Sequence, residues 1–350
     1  MQKKLIAAAI AGLVAAPAFA QSNVTIYGRI DLSVVAANGE SQVDGIGLRQ
    51  AEGSSSRWGL MGEEDLGNGW SAFFQLENRF YPGTGNINSN SSGTAMWKDK
   101  SWMGLASKQF GSIKIGRPDT SFDTTHGGSN TEIWGGDTIG ANPSRRARAA
   151  TRFDQGLRYD TPTWGFFKAY AATRLEGGDG STSVQGATST TAPTEQRSAY
   201  DVGTELSFGF VKFTGAYQKD YGTGYETWGI GTRIVPIAPL TILLSWADSK
   251  GFDAEGGVNP TGDSKQKAGG IGVGYKLGNA ELRANYGRVW TNVVGGTAAA
   301  NGDVTHIAGG VWYSLSKRTQ PFLVLARDKG SYAATERTIN AVQLGVRHNF

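Results

Sequence analysis

Along this 350-residue chain, hydrophobic and polar positions alternate with period two in short runs, while no helical period of 3.6 persists. Successive side chains of a strand point to opposite faces, so each run reads as a strand with one apolar and one polar face. Val24, Ile26, Ile30 and Leu32 oppose Thr25, Tyr27, Arg29 and Asp31, and Ile271, Val273, Tyr275 and Leu277 oppose Gly270, Gly272, Gly274 and Lys276. The clearest run is the last. Val342, Leu344, Val346, His348 and Phe350 share one face, against Gln343, Gly345, Arg347 and Asn349 on the other. A chain end frays unless it is tied down, so a strand patterned to its final residue is expected to be the closing strand of a barrel.

Sixteen runs can be marked: residues 23–37, 53–66, 70–81, 97–108, 112–118, 146–160, 164–175, 197–208, 211–221, 225–237, 240–250, 265–276, 280–290, 304–316, 320–329 and 337–350. Their connections alternate in length. Asn68-Gly69, Phe110-Gly111, Pro162-Thr163, Gly278-Asn279 and Lys317-Arg318-Thr319 are tight turns. Residues 38–52, 82–96, 119–145, 176–196, 251–264 and 291–303 are long, polar and rich in Gly, Ser, Thr and Asn. Tight turns on one side and long loops on the other are the layout of an outer-membrane β-barrel, with the short turns in the periplasm. Such a sheet has to close, because an open edge leaves backbone groups unpaired in hydrocarbon. The expected fold class is therefore all-β, a transmembrane antiparallel barrel of 16 strands.

The amino-terminal end agrees with export. Lys3 and Lys4 precede an apolar run from residue 5 to 14, and Ala18-Phe19-Ala20 has the form of a cleavage site. Residues 1–20 thus read as a secretory signal peptide and residues 21–350 as the barrel domain. No segment approaches 18 consecutive apolar residues, which excludes a helical membrane protein.

Composition removes further classes. The chain has no cysteine, and its three histidines, His126, His306 and His348, lie far apart, so neither a metal site nor a cofactor is expected. The net charge is +4, and +2 once Lys3 and Lys4 leave with the leader, too little for a nucleic-acid partner. No G-x-G-x-x-G or P-loop spacing occurs.

One stretch stands apart. Residues 119–145 exceed what a compact fold leaves without function or order. They carry Asp119, Asp123, Glu132 and Asp137, with Trp134 between glycines. Arg145, Arg146, Arg148, Arg152 and Arg158 follow, with Asp154 the single acid among them. On a continuous strand Arg146, Arg148, Arg152 and Arg158 share a face. An arginine toward lipid costs about 2–4 kcal/mol at the midplane, so this face is expected to look into the lumen.

Several motifs resemble the general porins of beta-proteobacteria, a branch of the trimeric Gram-negative porins. They run from Val24-Thr25-Ile26-Tyr27-Gly28-Arg29-Ile30-Asp31 through Ser56-Arg57-Trp58-Gly59-Leu60 and Gly62-Glu63-Glu64-Asp65-Leu66-Gly67. Arg158-Tyr159-Asp160-Thr161-Pro162, Tyr313-Ser314-Leu315-Ser316-Lys317-Arg318-Thr319 and Gly345-Val346-Arg347-His348-Asn349-Phe350 complete the series. Met61 stands where relatives often carry a basic lumen residue. The resemblance implies a homotrimer of barrels, each with its third long loop folded into its own pore. Its partners would be outer-membrane lipids and lipopolysaccharide, with periplasmic chaperones and the barrel-assembly machinery in transit.

On this reading the protein is a general diffusion porin and not an enzyme. Asp123, Glu132 and Asp137 of the inward loop are expected to face a basic wall of Arg29, Arg57, Arg79, Lys100, Arg148, Arg152, Arg158 and Arg347, giving a weak anion preference. Trp58, Trp70, Tyr159, Tyr313 and Phe350 are expected in the aromatic girdles. Three rivals remain: an outer-membrane hydrolase, for which no triad can be assembled; a soluble adhesin or lectin, against which the apolar terminal face argues; and a substrate-specific channel using aromatics such as Trp134.

Overall fold

A computed structural model describes residues 23–38, 45–49, 56–87, 96–127, 130–135, 138–141, 150–175, 198–221, 224–251, 265–292, 303–332 and 335–350. The expected leader, residues 1–20, lies outside them. The described strands are β1 (Asn23–Asn38), β2 (Gly45–Arg49), β3 (Arg57–Gly67), β4 (Trp70–Arg79), β5 (Lys100–Ser107), β6 (Gly111–Arg117), β7 (Gly156–Asp160), β8 (Phe167–Arg174) and β9 (Ala199–Phe208), then β10 (Val211–Asp220), β11 (Tyr225–Ile234), β12 (Leu240–Lys250), β13 (Lys265–Leu277), β14 (Ala280–Asn292), β15 (Val304–Tyr313), β16 (Thr319–Tyr332) and β17 (Thr335–Asn349). One short helix, α1 (Ser121–His126), sits between β6 and β7.

All described pairings are antiparallel, from β3 onward each strand bonds to the next, and β17 returns to β1. β2 and β3 both pair with β1, at Ser33–Ala37 and Asn23–Arg29 respectively, and so form one stave. The barrel therefore has sixteen staves. β2 falls within a stretch read from sequence as a loop, because a stave interrupted between its two halves breaks the alternation on which that reading depends.

Closure runs to the last residue. Arg29 lies opposite Asn349 and Leu32 opposite Val346, and Gly28 and Phe350 exchange both backbone hydrogen bonds at 3.0 Å. The arrangement leaves no unpaired edge at the seam, which hydrocarbon requires.

The faces are inverted relative to a soluble protein. Ile26, Met103 and Leu344 stand on the outside, 67%, 64% and 61% exposed, whereas Asp31, Glu77 and Gln343 on the inside are at most 2% exposed. Exposed apolar side chains on this scale mark a surface meant for lipid. Trp70, Tyr159, Tyr313 and Phe350 lie on this outer face. Trp70 stacks on Phe110, and the Tyr159 hydroxyl donates to the Phe110 carbonyl at 2.6 Å. Trp58 packs half-buried against Trp97 at the end of β3 farthest from the Asn68-Gly69 turn.

The arginine ladder also differs from its expected form. The strand read at residues 146–160 begins only at Gly156, because Asp154 and Gln155 make a turn, with Gln155 at φ 53°. Arg152 precedes that turn in an isolated bridge to Asp119. Arg145, Arg146 and Arg148 lie outside the described residues.

The seam generates a prediction. A Cβ at Gly28 would come within 2.2 Å of the Phe350 ring and 2.7 Å of the Arg57 carbonyl oxygen. Gly28→Val should therefore destabilise closure by about 1–3 kcal/mol. In detergent refolding, the compact, fast-migrating species on unboiled gels should fall relative to wild type; an unchanged folded fraction would refute the seam's sensitivity.

Candidate pore constriction

The described residues of the connection between β6 and β7 follow the inner wall of the barrel. It is anchored first by α1, whose N-cap Thr120 accepts from the Asp123 amide at 3.1 Å, and Asp201 on β9 accepts from the Phe122 amide at 2.9 Å. The loop lies so close that the wall under it carries glycine. A Cβ on Gly229 would be 2.8 Å from His126, and one on Gly231 would be 2.5 Å from Thr131. Gly203 under Thr125, and Gly272 and Gly274 under Ile133, continue this track across β9, β11 and β13.

Farther along, Ile133 and Trp134 bury themselves with Leu243, Ala308, Trp312, Phe322 and Val324. Trp312 stacks on Phe322 with ring centroids 4.4 Å apart, and Arg347 and Arg283 lie over its ring at 4.5 and 5.1 Å. Beyond Trp134, the Gly140 carbonyl accepts from Asn285 Nδ2 at 2.7 Å and from His306 Nε2 at 3.1 Å. The Ile139 amide donates to Gln343, which in turn donates to Ser33 of β1. The loop is thus fastened from β6 round to the seam. The apolar cluster around Trp134 serves as a core inside a wet barrel.

The remaining inner wall, from β3 to β7, is charged. Arg57 pairs with Glu77 at 3.4 Å, Arg79 with Asp99 at 2.9 Å, and Lys100 with Asp119 at 3.2 Å. Arg152 bridges Asp99 at 2.8 Å and Asp119 at 3.1 Å. Arg158 reaches Asp160 at 2.5 Å, the Asp119 carbonyl at 2.8 Å and the Thr124 hydroxyl at 2.6 Å, which ties wall to loop. Lys114 joins Asp160, and Arg117 joins Asp154. Around this ring seven cations meet five carboxylates among the described residues. Burial opposes ionisation of Asp99, but Arg152 and Arg79 outweigh it and hold the carboxyl well below the usual carboxylate range. Asp119 is likewise lowered: burial raises it, and Arg152 and Lys100 prevail.

Several expected site residues take other places. Glu132 is buried and accepts from the amide of Trp134 two residues on. Asp123 stands half-buried in the first turn of α1. Asp137 and Arg148 lie outside the described residues. Arg29 donates to Asn349 at 3.0 Å, and Arg347 pairs with the buried Asp31 at 2.7 Å; both belong to the seam. The carboxylates that meet the basic wall are Glu77, Asp99, Asp119, Asp154 and Asp160. Asp99 was the hardest to find, since it lies just before β5, at the end of the long connection from β4, with no local pattern to single it out.

A closed barrel, apolar outside and charged within, narrowed by a loop pinned to its own wall, defines a water-filled channel whose selectivity follows from width and charge. A family model described as Gram-negative porin matches residues 7–333, and the chain belongs to that family. It is 25% identical to an outer membrane porin protein of Bordetella pertussis and 27% identical to the major outer membrane protein P.IB of Neisseria gonorrhoeae, each over the whole of both chains. In structure it is similar to an anion-selective porin from Comamonas acidovorans, with TM-score 0.73 and 23% identity over 94% of this chain and all of that one. The protein resides in the outer membrane as a 16-stranded barrel and forms a general diffusion channel for small hydrophilic solutes and ions. Members of its family are channels.

The apolar anchor is testable. Trp134→Ala removes a fully buried side chain, a loss of about 3–5 kcal/mol at such a site, and should unpin the loop while the hydrogen-bonded wall stays closed. Single-channel recordings should show a larger mean conductance with added flicker. A conductance and noise spectrum identical to wild type would show that the anchor does not fix the pore.

Proposed function

We propose that the channel favours anions weakly and that Arg57, Arg79, Lys100, Arg152 and Arg158 set this preference. The observation that carries the reading is the excess of two cations in the ring of ion pairs from β3 to β7. Low-dielectric walls focus such a field and raise the local concentration of counter-ions. The anion selectivity named for the similar Comamonas porin supports the same sign. Arg152 holds Asp99 and Asp119 toward the wall and leaves the lumen side to the exposed parts of Arg57, Arg79 and Lys100.

The working form is a homotrimer embedded among outer-membrane lipids and lipopolysaccharide, delivered by periplasmic chaperones and the barrel-assembly machinery. It has no catalytic activity. Trp70, Tyr159, Tyr313 and Phe350 act as interfacial anchors, and the leader is removed after Ala20, leaving residues 21–350 as the barrel.

Two measurements check these readings. In a salt gradient across a planar bilayer, the reversal potential should take the sign of anion preference, and Arg79→Gln with Arg152→Gln should move it toward cations. A wild-type channel that prefers cations would overturn the assignment. For the mature form, sequencing of protein extracted from outer membranes should begin at Gln21, and the unboiled species should have three times the chain mass; any other start or a single-chain mass refutes the corresponding part.

A further inference from the structure

The lipid-facing surface beside the seam carries a feature that conduction does not use. Ile307, Arg327, Asn340 and Asn38 stand abreast on β15, β16, β17 and β1. One row nearer the short turns stand Gly309, Leu325, Val342 and Ala36, and below them Val311, Leu323, Leu344 and Val34. The apolar belt thus ends in a single step, and Arg327 stands at its upper edge.

Gly309 and Ala36 barely rise from the sheet on either side of Leu325 and Val342. The wall is recessed there into an open depression of about 670 Å³, with Arg327, Asn38 and Asn340 along its rim. Neighbouring outward cations have acidic partners: Arg288 with Asp303, and Lys329 with Glu336. Arg327 is exposed and makes no ion pair among the described residues. A guanidinium at this depth is stabilised by phosphate, which it binds through two parallel hydrogen bonds. A neighbouring barrel seated here would have to bring a carboxylate to Arg327, since burying the charge unpaired is costly.

We propose that this depression is a specific site for lipopolysaccharide. The lipid's phosphate rests on Arg327, its sugar hydroxyls meet the amides of Asn38 and Asn340, and one acyl chain lies over Ala36 and Gly309. The edge concerned is the one bearing the long connections, which faces the outer leaflet in barrels of this kind. The proposal deepens the lipid partnership put forward above and depends on it.

The test uses the full, delipidated channel in detergent, titrated with lipopolysaccharide or with phosphatidylglycerol and read by native mass spectrometry and thermal unfolding. Wild type should retain lipopolysaccharide and unfold at a higher temperature with it. Arg327→Ala should retain it about tenfold more weakly, the scale of one lost charge-assisted contact. Ala36→Leu, which fills the furrow and leaves the charge alone, should also weaken retention. Equal retention by wild type and both variants overturns the site, and equal retention of phosphatidylglycerol overturns the glycolipid assignment. A variant that loses its oligomeric state but keeps the lipid overturns it in favour of a second copy of the chain. Both variants should conduct as wild type does, so a wild-type channel that fails to conduct would count against the porin reading and not against this site.

Discussion

A backbone amide within hydrocarbon has no water to bond to, and each one left unsatisfied costs several kcal/mol. In this chain every stave finds a neighbour, and the first and last meet through the reciprocal bonds of Gly28 and Phe350. The other features follow from that closure. It fixes the alternation of side chains across the wall, so lipid receives one set and water the other. It also places residues from opposite ends of the chain, such as Asp31 and Arg347, side by side in a buried ion pair.

A closed wall of this kind has no interior core, and the inward loop supplies a small one. Ile133 and Trp134 dock on Trp312 and Phe322. The glycines beneath the loop let two backbones approach, as small residues do wherever chains must pass closely. Because the loop is held by packing at one place and by Asp201, Asn285, His306 and Gln343 at others, the aperture has a defined shape.

The electrostatics of the pore depend on the same scaffold. Arg152 gains two carboxylate partners because the bridge to Asp119 brings it beside β5, a placement set by the loop and not by its own strand. Buried carboxylates held between two or three cations stay ionised, and the modest surplus of cations is left to face the passing solute.

Much of the fold was legible in the chain. Period-two alternation, alternating connection lengths and the patterned last run to Phe350 required a closed antiparallel barrel, since each reports a local preference or a solvent boundary. The basic inner wall was legible too, because an arginine toward lipid costs most at the membrane midplane. The partners across the gap were not. Glu77 meets Arg57 across the β3–β4 pairing and Asp99 meets Arg79 beside β4, and only the docking of the loop adds Asp119 and Arg152 to them. Glu132 looked exposed in sequence and is buried, one of its oxygens accepting from the Trp134 amide. One signal for the loop's course was present, the glycines at inward positions of β11 and β13, but a glycine shows only that something comes close. Which segment comes close is decided by long-range packing, which no local pattern encodes.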